Sequence, residues 1–290
     1  MLAAELYRKI SPTNPPHQRM EDVLTSYVFS LFRYLNDLSV PLAFLQCAQN
    51  LDERNLALHQ INEVSVFFWP RFTFGTSRFR EADVLLLLTH LKKGRTAVVI
   101  EAKYDSGLTN RSDGVTDGDE SMDEQSETPI CYGHQLADEF CGIKCGSWLS
   151  EKIRQNIHQA ERKLLLYVTG NYEMPKTELQ EAVRHIEKRR CGKKREITDC
   201  GIEAEQDIYW VSWRHLHKIL SCSTVYASLS AGESMMLRDL LSILELRELE
   251  WFSTSFANLP LIDAYESFLK AEFWSWLQPV HNYKSVFLES

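Results

Sequence analysis

EADVLLLLTHLKKGRTAVVIEAKY, residues 81–104, decides the fold. Its two apolar runs, VLLLL and AVVI, read as neighbouring strands, and KKGR between them as a hairpin turn. Asp83 enters the first strand, and Glu101 and Lys103 close the second. Residues two apart on a strand face the same side, so Glu101 and Lys103 project together. Three charges at the ends of such apolar strands are expensive unless they face a cleft or bind something. Two carboxylates, with carbonyl and water oxygens, suit a hard divalent cation such as Mg²⁺, with Mn²⁺ as a substitute. A lysine beside them orients or activates an attacking water and offsets charge building on a phosphate, which suits phosphodiester hydrolysis.

One geometric condition governs this reading. In a regular hairpin Asp83 shares a face with Glu101 and Lys103 only if it lies opposite an odd-numbered residue. A two-residue Lys93-Gly94 loop would set Asp83 opposite Tyr104, on the wrong side. The site therefore requires an odd-length turn or a β-bulge.

Working outward, residues 1–19 read as a short arm broken by Pro15-Pro16. From Met20 to Leu38 the apolar stripe Val23, Leu24, Tyr27, Val28, Leu31, Phe32, Leu35 predicts a helix. A less regular helical connection spans 41–58, and VSVFFW (64–69) is a buried-type strand. Downstream, helical spacing covers 134–159. LLLYVT (164–169) is a strand, KTELQEAVRHIEKRR (176–190) a helix and DIYWVSW (207–213) a strand. From Arg214 onward the chain reads helical and ends in aromatic-rich turns (Phe268, Phe273, Trp274, Trp276). The expected fold class is α/β: a central mixed sheet flanked by helices, with a helical C-terminal part over 216–290.

Glu81-Ala82-Asp83, Glu101-Ala102-Lys103 at the end of the next strand, and Gln135 in the following helix resemble the PD-(D/E)XK nuclease superfamily. The resemblance covers about residues 20–215 and implies that family's restriction-endonuclease-like αβββαβ core. It also implies roles: Asp83 and Glu101 as metal ligands, Lys103 as the catalytic lysine, Gln135 as an auxiliary catalytic glutamine. Glu21 on the first helix would match an acidic metal ligand found there in some branches. The implied activity is a Mg²⁺-dependent DNA endonuclease of a restriction, repair or genome-defence system, leaving 5′-phosphate and 3′-hydroxyl ends. Ala82 stands where the motif has proline, and an acidic insertion lengthens the path from Lys103 to Gln135. RNA as substrate stays open, as do partner subunits or a homodimer, since the chain carries no G-x-x-x-x-G-K-[ST] ATPase motif. The alternative is a catalytically silent module of the same fold that binds nucleic acid or a protein.

Charge needs care. The chain has 290 residues with 32 Lys+Arg and 40 Asp+Glu, a net −8 that argues against a nucleic-acid binder at first sight. Between Asp105 and Glu127, however, eight acidic side chains face one arginine, so this segment, expected as a mobile loop over 105–128, holds nearly all the acidity. No register of it fits an EF-hand. The opposite run is Arg184, Lys188, Arg189, Arg190, Lys193, Lys194 and Arg195 against Glu187 alone. Lys188, Arg189, Arg190, Lys193, Lys194 and Arg195 are candidate phosphate-backbone contacts, or a solvated face complementing the helix C-terminus.

Cys131, His134, Cys141 and Cys145 have the composition of a zinc site, but a single helix from His134 would set His134 nearly two turns before Cys145, which disfavours it. No secretory leader and no apolar stretch long enough to span a bilayer is evident, so a cytoplasmic protein without membrane contact, its seven cysteines free thiols, is expected.

Overall fold

The computed structural model of the chain describes residues 16–73, 79–92, 94–104, 134–192 and 204–251. In chain order the elements are α1 (Pro16–Tyr34), α2 (Ser39–Gln46), β1 (Ile61–Phe68), β2 (Arg71–Thr73), β3 (Phe79–Glu81), β4 (Val84–His90) and β5 (Arg95–Ala102). There follow α3 (Gln135–Cys145), β6 (Ser147–Trp148), α4 (Glu151–His158), β7 (Arg162–Thr169), α5 (Lys176–Gly192), α6 (Ala204–Asp207), β8 (Ile208–Ser212), α7 (Trp213–Leu220) and α8 (Ala231–Leu246).

Five strands form a mixed sheet in the order β1-β4-β5-β7-β8. The first three are antiparallel; β7 and β8 join in parallel. The runs VLLLL and AVVI lie at the centre and are buried on both faces, which is why they lack polar alternation. On one face Val84, Leu86, Val98, Ile100, Leu164 and Leu166 pack under α1, α2, α7 and α8. On the other, Leu85, Val99, Leu165, Tyr167 and Trp210 pack under α3, α4 and α5.

A second sheet, β3-β2-β6, extends from the first. The chain bends between β1 and β2 at Trp69, which has φ +46°, and again between β3 and β4 at Ala82-Asp83. Trp69 N–H donates to the Asp83 carbonyl (2.9 Å) and Ala82 N–H to the Pro70 carbonyl (3.2 Å), so the two bends brace one another. Asp83 thus stands at the corner where a strand changes sheets. Gly142 lets α3 approach this small sheet: a Cβ there would lie 2.1 Å from the Phe72 ring.

Several expectations are corrected. The first helix reaches back to Pro16, inside the expected arm, since a proline fits the first turn of a helix, where its missing N–H is no loss. The connection over 41–58 is helical only to Gln46; beyond it Gln49 pairs with Trp210 and covers the outer edge of β8. The helical spacing over 134–159 resolves into two helices, the first as expected ending at Cys145, separated by Gly146 in an extended conformation and by β6; Ser150 caps the second by accepting from Ile153 N–H. The helices after residue 215 are no separate appendage up to residue 250: Leu216, Leu220, Leu237, Leu240 and Leu244 belong to the same core as the sheet. The C-terminal aromatics, the N-terminal residues 1–15 and the acidic run 105–128 lie outside the described residues. No described helix is long and apolar enough to cross a membrane.

Candidate functional site

The last paired residues of the β4–β5 hairpin are Thr89 and Arg95, which leaves a five-residue turn from His90 to Gly94. His90 N–H donates to the Gly94 carbonyl (3.1 Å), and Gly94 takes φ +125°, a conformation that favours glycine. The odd length has the required effect. The register pairs Val84 with Ile100, so the next position outward sets Asp83 opposite Glu101, with both on the α3 face. Ala102 N–H then donates to Asp83 Oδ2 (2.9 Å), which anchors the carboxylate across the strand pair.

Glu101 is sealed by burial, with 1% of its side chain exposed. Lys103 Nζ lies 2.5 Å from Glu101 Oε1 and 3.1 Å from Glu21 Oε1. Trp213 Nε1 donates to the Lys103 carbonyl (3.2 Å) and so fixes the backbone there. Gln135, the first residue of α3, donates from Nε2 to Glu101 Oε1 (2.6 Å). The structure therefore brings Asp83, Glu101, Lys103 and Gln135 together at the carboxyl end of β5.

Glu139 joins them, a residue the sequence reading did not single out. It follows Gln135 by four residues, hence on the same helical face, and accepts from Gln135 Nε2 (3.4 Å). It is buried and within hydrogen-bonding reach of Glu101. Both carboxyls are raised, so a proton held by one is donated to the other; Glu101 Oε2 and Glu139 Oε2 have no further hydrogen-bond partner. The sequence signal for Glu139 was the pair Asp138-Glu139 within the otherwise apolar LADEF.

The electrostatics follow from this crowding. Burial pushes the Glu101 carboxyl up to about 7; the charge of Asp83 adds to the rise and that of Lys103 opposes it. Burial and the neighbouring Glu101 raise Glu139 well above the usual carboxyl range. Burial also raises Glu21 against the pull of Lys103. For Lys103 burial alone would favour the neutral amine, but Glu101, Asp83 and Glu21 outweigh it and hold the ammonium firmly charged.

The donor set meets the chemical demands of a hard divalent cation in part. Asp83 and Glu101 share a face and together offer the carboxylate oxygens such an ion takes. Glu21, expected as a further ligand, is engaged otherwise. It comes from α1 in the opposite layer, reaches Lys103 past the end of β5, and accepts from Tyr104 N–H (3.3 Å). Among the described residues no three or more His, Cys, Asp or Glu are grouped to hold a metal ion by themselves.

Of the candidate phosphate contacts, Lys188 lies away from this site. Tyr167, which pairs with Glu101, donates from its hydroxyl to Glu178 at the start of α5 (3.1 Å). Lys188 follows Glu178 on α5, about 15 Å further along the helix axis, and is exposed. Arg189 and Arg190 end the same helix, and Lys193, Lys194 and Arg195 lie outside the described residues. As for zinc, Cys145 is disulfide-bonded and is no thiolate ligand, so the expectation of free thiols throughout fails there; Cys47, Cys141 and Cys222 are not disulfide-bonded. Cys131 lies outside the described residues, and His134 is the buried N-cap of α3.

No family model matches the chain, and neither a curated protein nor a solved structure does.

Proposed function

We propose that the chain is a metal-dependent nuclease of the PD-(D/E)XK type, hydrolysing phosphodiester bonds in DNA. The observation that carries this reading is the five-residue turn that sets Asp83 opposite Glu101, so that both carboxylates share a face with Lys103. The order α1, then β1, β4 and β5, then α3 and β7 accords with the αβββαβ core of that superfamily, with β2 and β3 as an insertion.

Asp83 and Glu101 would hold Mg²⁺ or Mn²⁺, which supplies Lewis acidity at the phosphate. The chain's own residues do the rest. Lys103 is an ammonium and therefore a donor, not a base; it offsets negative charge building on the phosphate oxygens and orients the attacking water. Gln135 fixes one oxygen of Glu101 and leaves the other facing inward. The direct test is cleavage of plasmid and single-stranded DNA with Mg²⁺ or Mn²⁺ by wild type and Lys103→Ala, with fold checked by thermal melting. Cleavage by wild type that Lys103→Ala abolishes supports the reading, and equal cleavage by both overturns it.

A second reading is a silent module of the same fold that binds nucleic acid or a protein. It is favoured by Lys103, clamped between Glu101 and Glu21, and by the lack of a three-ligand group among the described residues. Oligonucleotide binding without cleavage under any metal condition would select it.

A further inference from the structure

Beside the carboxyl ends of β5 and β7 lies a cavity of about 580 Å³ lined by Tyr104, Gly170, Tyr172, Arg214, Arg247 and Leu249, among others. Tyr104 directly follows Lys103, and Glu21 accepts from both Tyr104 N–H and Lys103 Nζ, so one wall of the cavity is tied to the candidate catalytic lysine. It also occupies the position, outside the carboxyl ends of parallel strands, where α/β sheets most often bind ligands.

Its walls combine two features. Arg214 lies over the Tyr172 ring at 3.9 Å and is held there by hydrogen bonds to the Gly170 and Glu250 carbonyls and the Tyr172 hydroxyl. Arg247 lies over the Tyr104 ring at 5.7 Å, while the Tyr104 hydroxyl donates to the Arg247 carbonyl (2.7 Å). Each pair presents a flat aromatic ring beside a guanidinium. Tyr172 remains 47% exposed although Arg214 covers part of its ring. Glu173 and Glu248 on the rim are exposed and counter part of the positive charge, which leaves recognition to the paired rings and guanidinia rather than to bulk charge.

We infer that this cavity is the subsite for the nucleotide next to the scissile phosphate: an unpaired base stacks on Tyr172, and Arg247 meets the neighbouring phosphate. The inference rests on Asp83, Glu101 and Lys103 forming a phosphodiester site. It makes a strand with an unpaired base the preferred substrate.

The test is fluorescence anisotropy of a short labelled oligodeoxythymidylate, in EDTA so that binding is read without cleavage, with duplex of equal length as competitor. Tyr172→Ala should weaken binding about 5- to 100-fold and Tyr172→Phe should restore it, as expected for base stacking. Arg247→Ala should weaken binding and lower the slope of log affinity against log salt by about 0.7, one phosphate contact on a single strand. Duplex should compete poorly. Wild-type affinity in both alanine variants, or no binding by wild type, overturns the subsite. If wild type binds with these dependences yet cleaves under no metal condition, the subsite stands and the nuclease reading fails.

Discussion

Glu101 on β5 and Glu139 on α3 hydrogen-bond one another across the layer boundary, both almost wholly buried. Two acids so placed cannot both ionise cheaply. Replacing Glu139 with glutamine keeps the shape and supplies an amide donor to Glu101. Glu139→Gln is therefore expected to stabilise the metal-free protein by about 1–3 kcal/mol at pH 8, read by urea unfolding. A loss of stability would show that the second carboxylate is needed where it stands.

The same pair gives the protein a pH dependence. The folded-state value of Glu101, about 7, lies above its ordinary 4.5, so in that window the folded state binds more protons than the unfolded one. Its contribution is most favourable below the ordinary value and is lost as pH rises toward and through 7. The melting temperature of the metal-free protein should fall between pH 5 and 8, and Glu101→Gln should flatten that slope. Mg²⁺ should raise the melting temperature more at pH 8 than at pH 6, because protons compete with it for the carboxylates.

Lys103 balances at least two acids of this cluster at close range. Its removal leaves buried carboxylates without their cation, so Lys103→Ala is expected to cost about 3 kcal/mol at pH 8 and less at pH 6. Denaturant titrations at the two pH values check this. Equal losses would mean that the lysine acts through packing and not charge.

Gly142 concerns how α3 is seated. A methyl group there meets the Phe72 ring at 2.1 Å, so Gly142→Ala is expected to cost about 1–3 kcal/mol. Phe72→Leu in the same chain should recover part of it, which a double-mutant cycle would detect as non-additivity. Strict additivity would show that the ring does not limit the approach of α3.

These residues also mark what the chain discloses before folding. The strands β4 and β5 were legible because continuous apolar runs bounded by turn residues leave little else to form. Asp83, Glu101 and Lys103 were legible because strand alternation sets faces by counting. The condition on the turn was legible too, though its outcome depended on a local geometry that Lys-Lys-Gly does not dictate. The small sheet was invisible: β2, β3 and β6 are two or three residues each, and the pairing of Phe72 with Trp148 joins positions far apart in sequence. Glu139 was missed because a helical glutamate is ordinarily solvated, and only the tertiary fold buries this one.

The hairpin turn from His90 to Gly94 holds no residue of the candidate site, yet the site depends on how many residues it contains. Adding or deleting one there would exchange the inner and outer faces of one strand relative to the other and separate Asp83 from Glu101 without altering either. Adding or deleting two would leave them together. The length of this surface segment, and not its composition, is what holds the two carboxylates on one face.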